Sequence, residues 1–140
     1  METPEPVDEE KILTAAQGYN ELEMAREALQ ELAQLPKARL DSPECLLIRV
    51  VALIRLKRWK SAIVDAHKLC EKLPREAAGF IHLAYCHHEM GKTARAKEIL
   101  LNSPRSIHGS ATFCYNLACY EAVLGELAVS YTHLRAHETR

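Results

Sequence analysis

At 140 residues, with 48% hydrophobic and 26% charged side chains, the chain has the make-up of one small globular domain or a piece of a longer one. A net charge of -1 gives no electrostatic reason to expect nucleic acid or an anionic membrane as partner. No apolar run approaches the roughly 20 residues of a membrane-spanning helix.

The opening stretch, METPEPVDEE, is acidic and contains proline, the opposite of a secretory signal with its basic start and apolar middle. A disordered leader over residues 1–8 and a cytoplasmic location are the expectations. From Glu9 onward Ala, Leu, Glu, Lys and Arg dominate, and strand signals are nearly absent; even LLIRVVALI runs on into a helical pattern rather than alternating. The prediction is an all-α chain built of paired helices. The first unit starts near residue 9 and breaks near Glu23-Met24. The second starts near residue 43, where Ser42 can cap and Pro43 suits the first helical position, and breaks around Lys57-Arg58. The third starts near residue 77; Gly91 can leave its first helix in a left-handed conformation, and Pro104 stops its second. A fourth starts near residue 111 after a cap at Ser110, with a first helix to about Leu124 and a turn at Gly125.

These units share a period of 34 residues with no insertion from residue 9 to residue 128. Ala28, Ala62 and Ala96 fall in one column, and Ala16, Val50, Ala84 and Ala118 in another. Leu83 aligns with Leu117, Gly91 with Gly125, and Leu32 with Leu100, with Ala66 between. Ile12, Leu46, Phe80 and Cys114 align too, as do Leu22, Leu56, Met90 and Leu124. Small columns let paired helices approach closely, and larger apolar columns fill the space between hairpins. A single hairpin cannot bury its apolar face, so hairpins stack.

The segments GFIHLAYCHHEMGKTARAKEIL and CYNLACYEAVLGELA carry the pattern best, with Leu83-Ala84, Gly91 and Ala96, then Leu117-Ala118 and Gly125. They resemble the tetratricopeptide repeat, whose unit is a 34-residue helix–turn–helix, and YNLACYEAVLG is similar in style to bacterial members. The second unit departs at Arg49, in the Leu column, and at Lys57, in the glycine column; the first departs at Ala15 and Glu23. The resemblance implies a right-handed superhelical solenoid over residues 9–128, of three full repeats plus the first helix of a fourth. It also implies a groove lined by the first helices, which binds a protein or peptide partner and catalyses nothing. Gln17, Asn20, Val51, Ile54, Tyr85, His88, Tyr115 and Cys119 are the candidate groove residues. Their character suits an extended or helical segment with apolar anchors better than a strongly charged tail; Tyr85 and Tyr115 could instead pack between neighbouring first helices. One subtype of the family grips a carboxyl-terminal carboxylate with basic residues. Its columns here hold Leu13, Gln17, Ile48, Ala78 and His82, or Leu47, Val51, His82, Thr112 and Asn116. Neither set has the required cations, so that clamp is disfavoured. The alternative is the recognition arm of a longer protein whose activity lies beyond residue 128.

No catalytic set, phosphate loop or cofactor motif is present. The CHHE run, Cys86 to Glu89, points in directions about 100° apart along a helix, so at most two of its side chains could share a metal. The five cysteines are odd in number and form no C-x-x-C pair; they are expected to be small buried hydrophobes in a reducing compartment, and no metal is expected. After Ala128 the repeat pattern fails: Ser130 stands in the alanine column. VSYTHLRAHET, Val129 to Thr139, resembles the translation of a transposase-type sequencing-library adapter, which would make residues 129–140, with the His133/His137 pair, a non-native tail. An array ending at Ala128 would leave an apolar face uncovered, and self-association through that uncapped repeat is the expectation.

Overall fold

The structure, a computed structural model, describes residues 5–138, of which 128–138 by backbone alone. Among the described residues it is all-helical, with seven α-helices, two 3-10 turns and no strand. The helices are α1 (Glu9–Glu21), α2 (Ala25–Leu32), α3 (Pro43–Arg55), α4 (Trp59–Lys72), α5 (Ala77–Glu89), α6 (Thr93–Leu101) and α7 (Ala111–Glu138). The odd-numbered helices start at the four expected positions, and α2, α4 and α6 begin at equivalent positions of their units. Every helix packs on its successor, and the odd-numbered helices also form a row, α1 on α3, α3 on α5 and α5 on α7.

The caps explain the starts. Asp8 accepts from the Lys11 N–H, so the end of the expected leader serves as the N-cap of α1. Ser42 Oγ accepts from Cys45 N at 3.3 Å with Pro43 in the first turn, and Ser110 Oγ accepts from Phe113 N at 3.1 Å. The first three odd helices end in one motif. Glu23, Lys57 and Gly91 take φ of 60°, 57° and 81°. The next amide reaches back across the turn each time, Met24 N to Tyr19 O, Arg58 N to Leu53 O and Lys92 N to His87 O, at 2.8, 2.9 and 2.8 Å. Glutamate and lysine in this left-handed region cost about 1–2 kcal/mol each, which the packing of the following helix must offset.

That packing is the alanine column. Ala28, Ala62 and Ala96 are all fully buried, as are Ala16, Val50 and Ala84 of the odd helices. The fourth unit differs: α7 runs unbroken through Gly125, where a turn was expected. Gly125 permits a left-handed turn without compelling one. After Gly91 the chain turns because α6 buries Thr93, Ala96, Ile99 and Leu100. After Gly125 the column offers Ser130, and each further helical residue gains a backbone hydrogen bond instead. Ala118, the counterpart of three fully buried residues, is consequently exposed.

Arg49, in a column where leucine is the rule, is half-buried and forms a bidentate pair with Asp65 of α4, at 2.6 and 3.1 Å. It also donates to the Leu40 carbonyl at 2.9 Å, tying the loop between the first two hairpins to α3. In the third unit the equivalent loop is held by His108, which stacks on Phe113 at 4.5 Å and meets the Ser103 carbonyl at 3.0 Å. Cys45 and Cys86 are buried and Cys70 and Cys119 half-buried, but Cys114 is exposed, against the expectation that all five lie inside.

Candidate functional site

The row of odd helices presents a surface of mixed aliphatic and polar side chains. In α3, PECLLIRVVALIR, the residues Cys45, Leu46, Val50, Ala52 and Leu53 turn into the core. Leu47, Val51 and Arg55 follow one another at four-residue spacing along the other side, with Ile48 and Ile54 flanking them, so one helix face carries them all. Two pockets open along this face, each of about 300 Å³. The first lies between α1 and α3: Gln17, Asn20 and Glu21 face Leu47, Ile48, Val51 and Arg55. The second lies between α3 and α5: Val51, Ile54 and Arg55 face Ile81, His82 and Tyr85, and Asn116 of α7 closes it. Val51 and Arg55 belong to both, so the pockets adjoin. All lining residues come from odd-numbered helices.

The floor is aliphatic and the rim polar. Asn20 is 6% exposed; its amide Nδ2 donates to the Ile48 carbonyl at 3.0 Å, locking α1 to α3. Its other atom, Oδ1, is buried without a hydrogen-bond partner, a rare condition in a folded chain. Arg55 is exposed and forms no ion pair or side-chain hydrogen bond among the described residues. Burial pushes the His82 imidazole below its ordinary value, so the ring is neutral at neutral pH. Tyr85 packs edge-on against Trp59, with ring centres 6.0 Å apart; burial, and then the neighbouring Glu89 carboxylate, push its phenol up.

Gln17, Asn20, Val51, Ile54 and Tyr85 are thus brought together from the candidate set. The other three lie elsewhere. His88 is drawn into α5–α6–α7 packing, its Nδ1 2.8 Å from Thr93 Oγ1 and its ring 4.9 Å from that of Tyr120. Tyr115 is 70% exposed and lines neither pocket, and Cys119 is half-buried against the core cluster that runs from the second unit to the fourth. Sequence reasoning missed Arg55 and Glu21, which share a column 34 residues apart, and Ile81. It placed Leu47, Ile48, His82 and Asn116 only in the carboxylate-clamp columns; Ile48, His82 and Asn116 form a column of their own, and that was the available signal.

Two other depressions are less suited to bind. One of about 600 Å³ on the α2–α4 side holds Arg49 and Asp65, whose charged groups already satisfy each other. Another, of about 420 Å³, sits at the first turn between Glu23, Arg26, Glu27 and Leu56. In CHHE, Cys86 is buried in the core, His87 is half-buried, His88 is engaged by Thr93 and Glu89 is exposed. Among the described residues no three His, Cys, Asp or Glu side chains come together as metal ligands. The side chains of His133 and His137, and all of Thr139 and Arg140, lie outside the described residues. Among those described, no helix is long and apolar enough to cross a membrane.

What the fold and site define is an all-helical stack of hairpins with a bipartite, partly apolar groove along its odd-numbered helices. Compared with protein-family models, curated proteins and solved structures, the chain finds no match.

Proposed function

We propose that this is a non-catalytic, cytoplasmic interaction scaffold of the tetratricopeptide type, a superhelical array that holds a protein or peptide segment along its odd-numbered helices. The observation that carries this is the pair of adjoining pockets lined by α1, α3, α5 and α7 alone. Each successive first helix adds a wall, and an elongated site made this way matches a chain-like ligand better than a compact metabolite. The aliphatic floor supplies the anchoring area, and the amides and charges of the rim supply orientation.

Val51 is the residue to change, because it belongs to both pockets. Peptides enriched from a random display library on the wild-type chain should be lost on Val51→Glu. They should be retained on Val64→Glu, an exposed site on α4 bordering the opposite depression. Enriched peptides that bind Val51→Glu undiminished would show that the site lies elsewhere.

A further inference from the structure

The turns that close the first two hairpins carry opposite charge. ELEMARE, residues 21–27, sets Glu21, Glu23 and Glu27 against Arg26, a net of -2; RLKRWK, residues 55–60, holds Arg55, Lys57, Arg58 and Lys60 and no acid. The two turns share one backbone shape, with Glu23 and Lys57 at φ of 60° and 57°, and α1 packs on α3, so they lie side by side on one edge of the stack. The depression lined by Glu23, Glu27, Arg55 and Leu56 marks where they meet. Glu27 is half-buried and the other charged side chains of both turns are exposed. Among the described residues none of them forms an ion pair within the chain. Between the carboxylates stand Met24, 38% exposed, and Leu22, at 71% the most exposed large hydrophobic side chain described.

We propose that this edge binds a second copy of the chain across a twofold axis, the acidic first turn of each copy lying on the basic second turn of the other. In a twofold contact residue i of one copy meets j of its partner and j meets i. An edge with an acidic and a basic patch offset by one repeat is therefore complementary to itself. The other registers fail on charge. First turn on first turn, or second on second, sets like charges against each other. First turn on third, where Lys92 and Arg95 stand, forces the two second turns to face each other at the axis, four cations against four. A uniformly acidic or uniformly basic partner would be attracted to one half of the edge and repelled by the other. The net charge of -1 adds no long-range repulsion between copies, and Leu22 and Met24 contribute apolar area to the contact. Two turns from each copy make a contact smaller than the about 1,200–2,000 Å² of a stable interface, so the dimer is weak, reversible and sensitive to salt.

The test is a charge swap followed by sedimentation velocity over a concentration series of the full chain. Wild type should self-associate at about 0.01 M salt and dissociate at about 1 M, as the screening length falls from about 30 to about 3 Å. Glu23→Lys with Glu27→Lys makes the first turn basic; Lys57→Glu with Arg58→Glu and Lys60→Glu makes the second acidic. At the position with positive φ each variant carries the residue its neighbouring unit already has there, so both should keep the wild-type circular dichroism. Each alone should associate at least about tenfold more weakly than wild type, because the twofold axis counts every lost pair twice. Mixed in equal amounts, the two should form a one-to-one heterodimer of about wild-type affinity, since opposite charges then meet at both contacts. Should the triple variant lose helical signal, Lys57→Glu mixed with Glu23→Lys carries the same test. A wild type that stays monomeric at low salt would overturn the proposal. Association unchanged in either variant would overturn it too, placing the contact elsewhere, the uncovered face of α7 included. Two monomeric variants that do not pair when mixed would refute the register and the proposal with it. None of these positions lines the groove, so each of these failures leaves the scaffold reading standing.

Discussion

Alanine in place of Gly91 and of Gly125 should move stability in opposite directions, although the two occupy one column of the repeat. At both positions a Cβ would meet no atom within 4 Å, so packing is not at issue and the backbone alone decides. Gly91 has φ of 81° and closes the α5–α6 turn; alanine there should cost about 1–2 kcal/mol. Gly125 lies inside α7, where alanine is the better helix former by about 0.8–1 kcal/mol. The assay is urea unfolding of both variants, followed by far-ultraviolet circular dichroism and read at the midpoint, with thermal midpoints displaced by roughly 3–5 °C in opposite senses. Destabilisation of similar size in both variants would mean that the chain turns at Gly125 and that the fourth unit is a hairpin after all, refuting the reasoning from Ser130 and the exposed Ala118.

Removing Arg49 as Arg49→Leu should cost about 3–5 kcal/mol, since Asp65, 7% exposed, would be left charged and unpaired. Adding Asp65→Leu should restore most of that loss in the same unfolding assay, whereas additive losses would contradict a mutually dependent pair. Gly79→Ala should destabilise by about 1–3 kcal/mol in spite of better helix propensity, because its Cβ would come 2.9 Å from Cys70 N and 3.0 Å from Cys70 Sγ; equal or greater stability on denaturation would count against that close approach. Iodoacetamide at neutral pH, followed by peptide mass mapping, should modify the exposed Cys114 at least about a hundredfold faster than the fully buried Cys86. Burial raises the Cys86 thiol from 9.0 to about 11. The folded state thus favours the protonated form, and this contribution is whole below pH 9.0 and lost as pH rises through about 11. Stability of the wild type should fall across that window more steeply than that of Cys86→Ala.

The helix ends were legible because each is set by few residues. Ser42-Pro43 and Ser110 announce helix starts through local hydrogen bonds, and the 34-residue register carried the Gly91 turn back to Lys57 and Glu23, although neither residue favours it. Gly125 was misjudged for the complementary reason: a glycine's conformation is decided by whether the segment after it has something to bury. Arg49 was visible only as a break in an apolar column, because Asp65, which makes the break tolerable, sits on the next helix. In the groove, Gln17, Val51 and Tyr85 share one column and Asn20 and Ile54 another, so periodicity recovered them. His88 and Cys119 occupy the same columns but are taken up by Tyr120 and the neighbouring core. Arg55 and Glu21 lie one column over, and choosing among neighbouring columns requires the rotation of each helix about its axis, which spacing alone does not specify.

The recurrence of the turn at Glu23, Lys57 and Gly91 also sets which changes of length the chain can absorb. One residue added inside α3 or α5 would rotate everything after it by about 100°, sweeping the fully buried positions into solvent and dismantling two hairpin contacts at once. The same residue added near Lys37–Arg39 or Arg105–Ile107, where 3-10 turns bridge one hairpin to the next, would be taken up by the loop. Gain or loss of a whole unit leaves every helix in phase with its neighbours. Variation in length among chains built this way is therefore confined to two kinds: small changes at the hairpin junctions, and steps of one complete repeat.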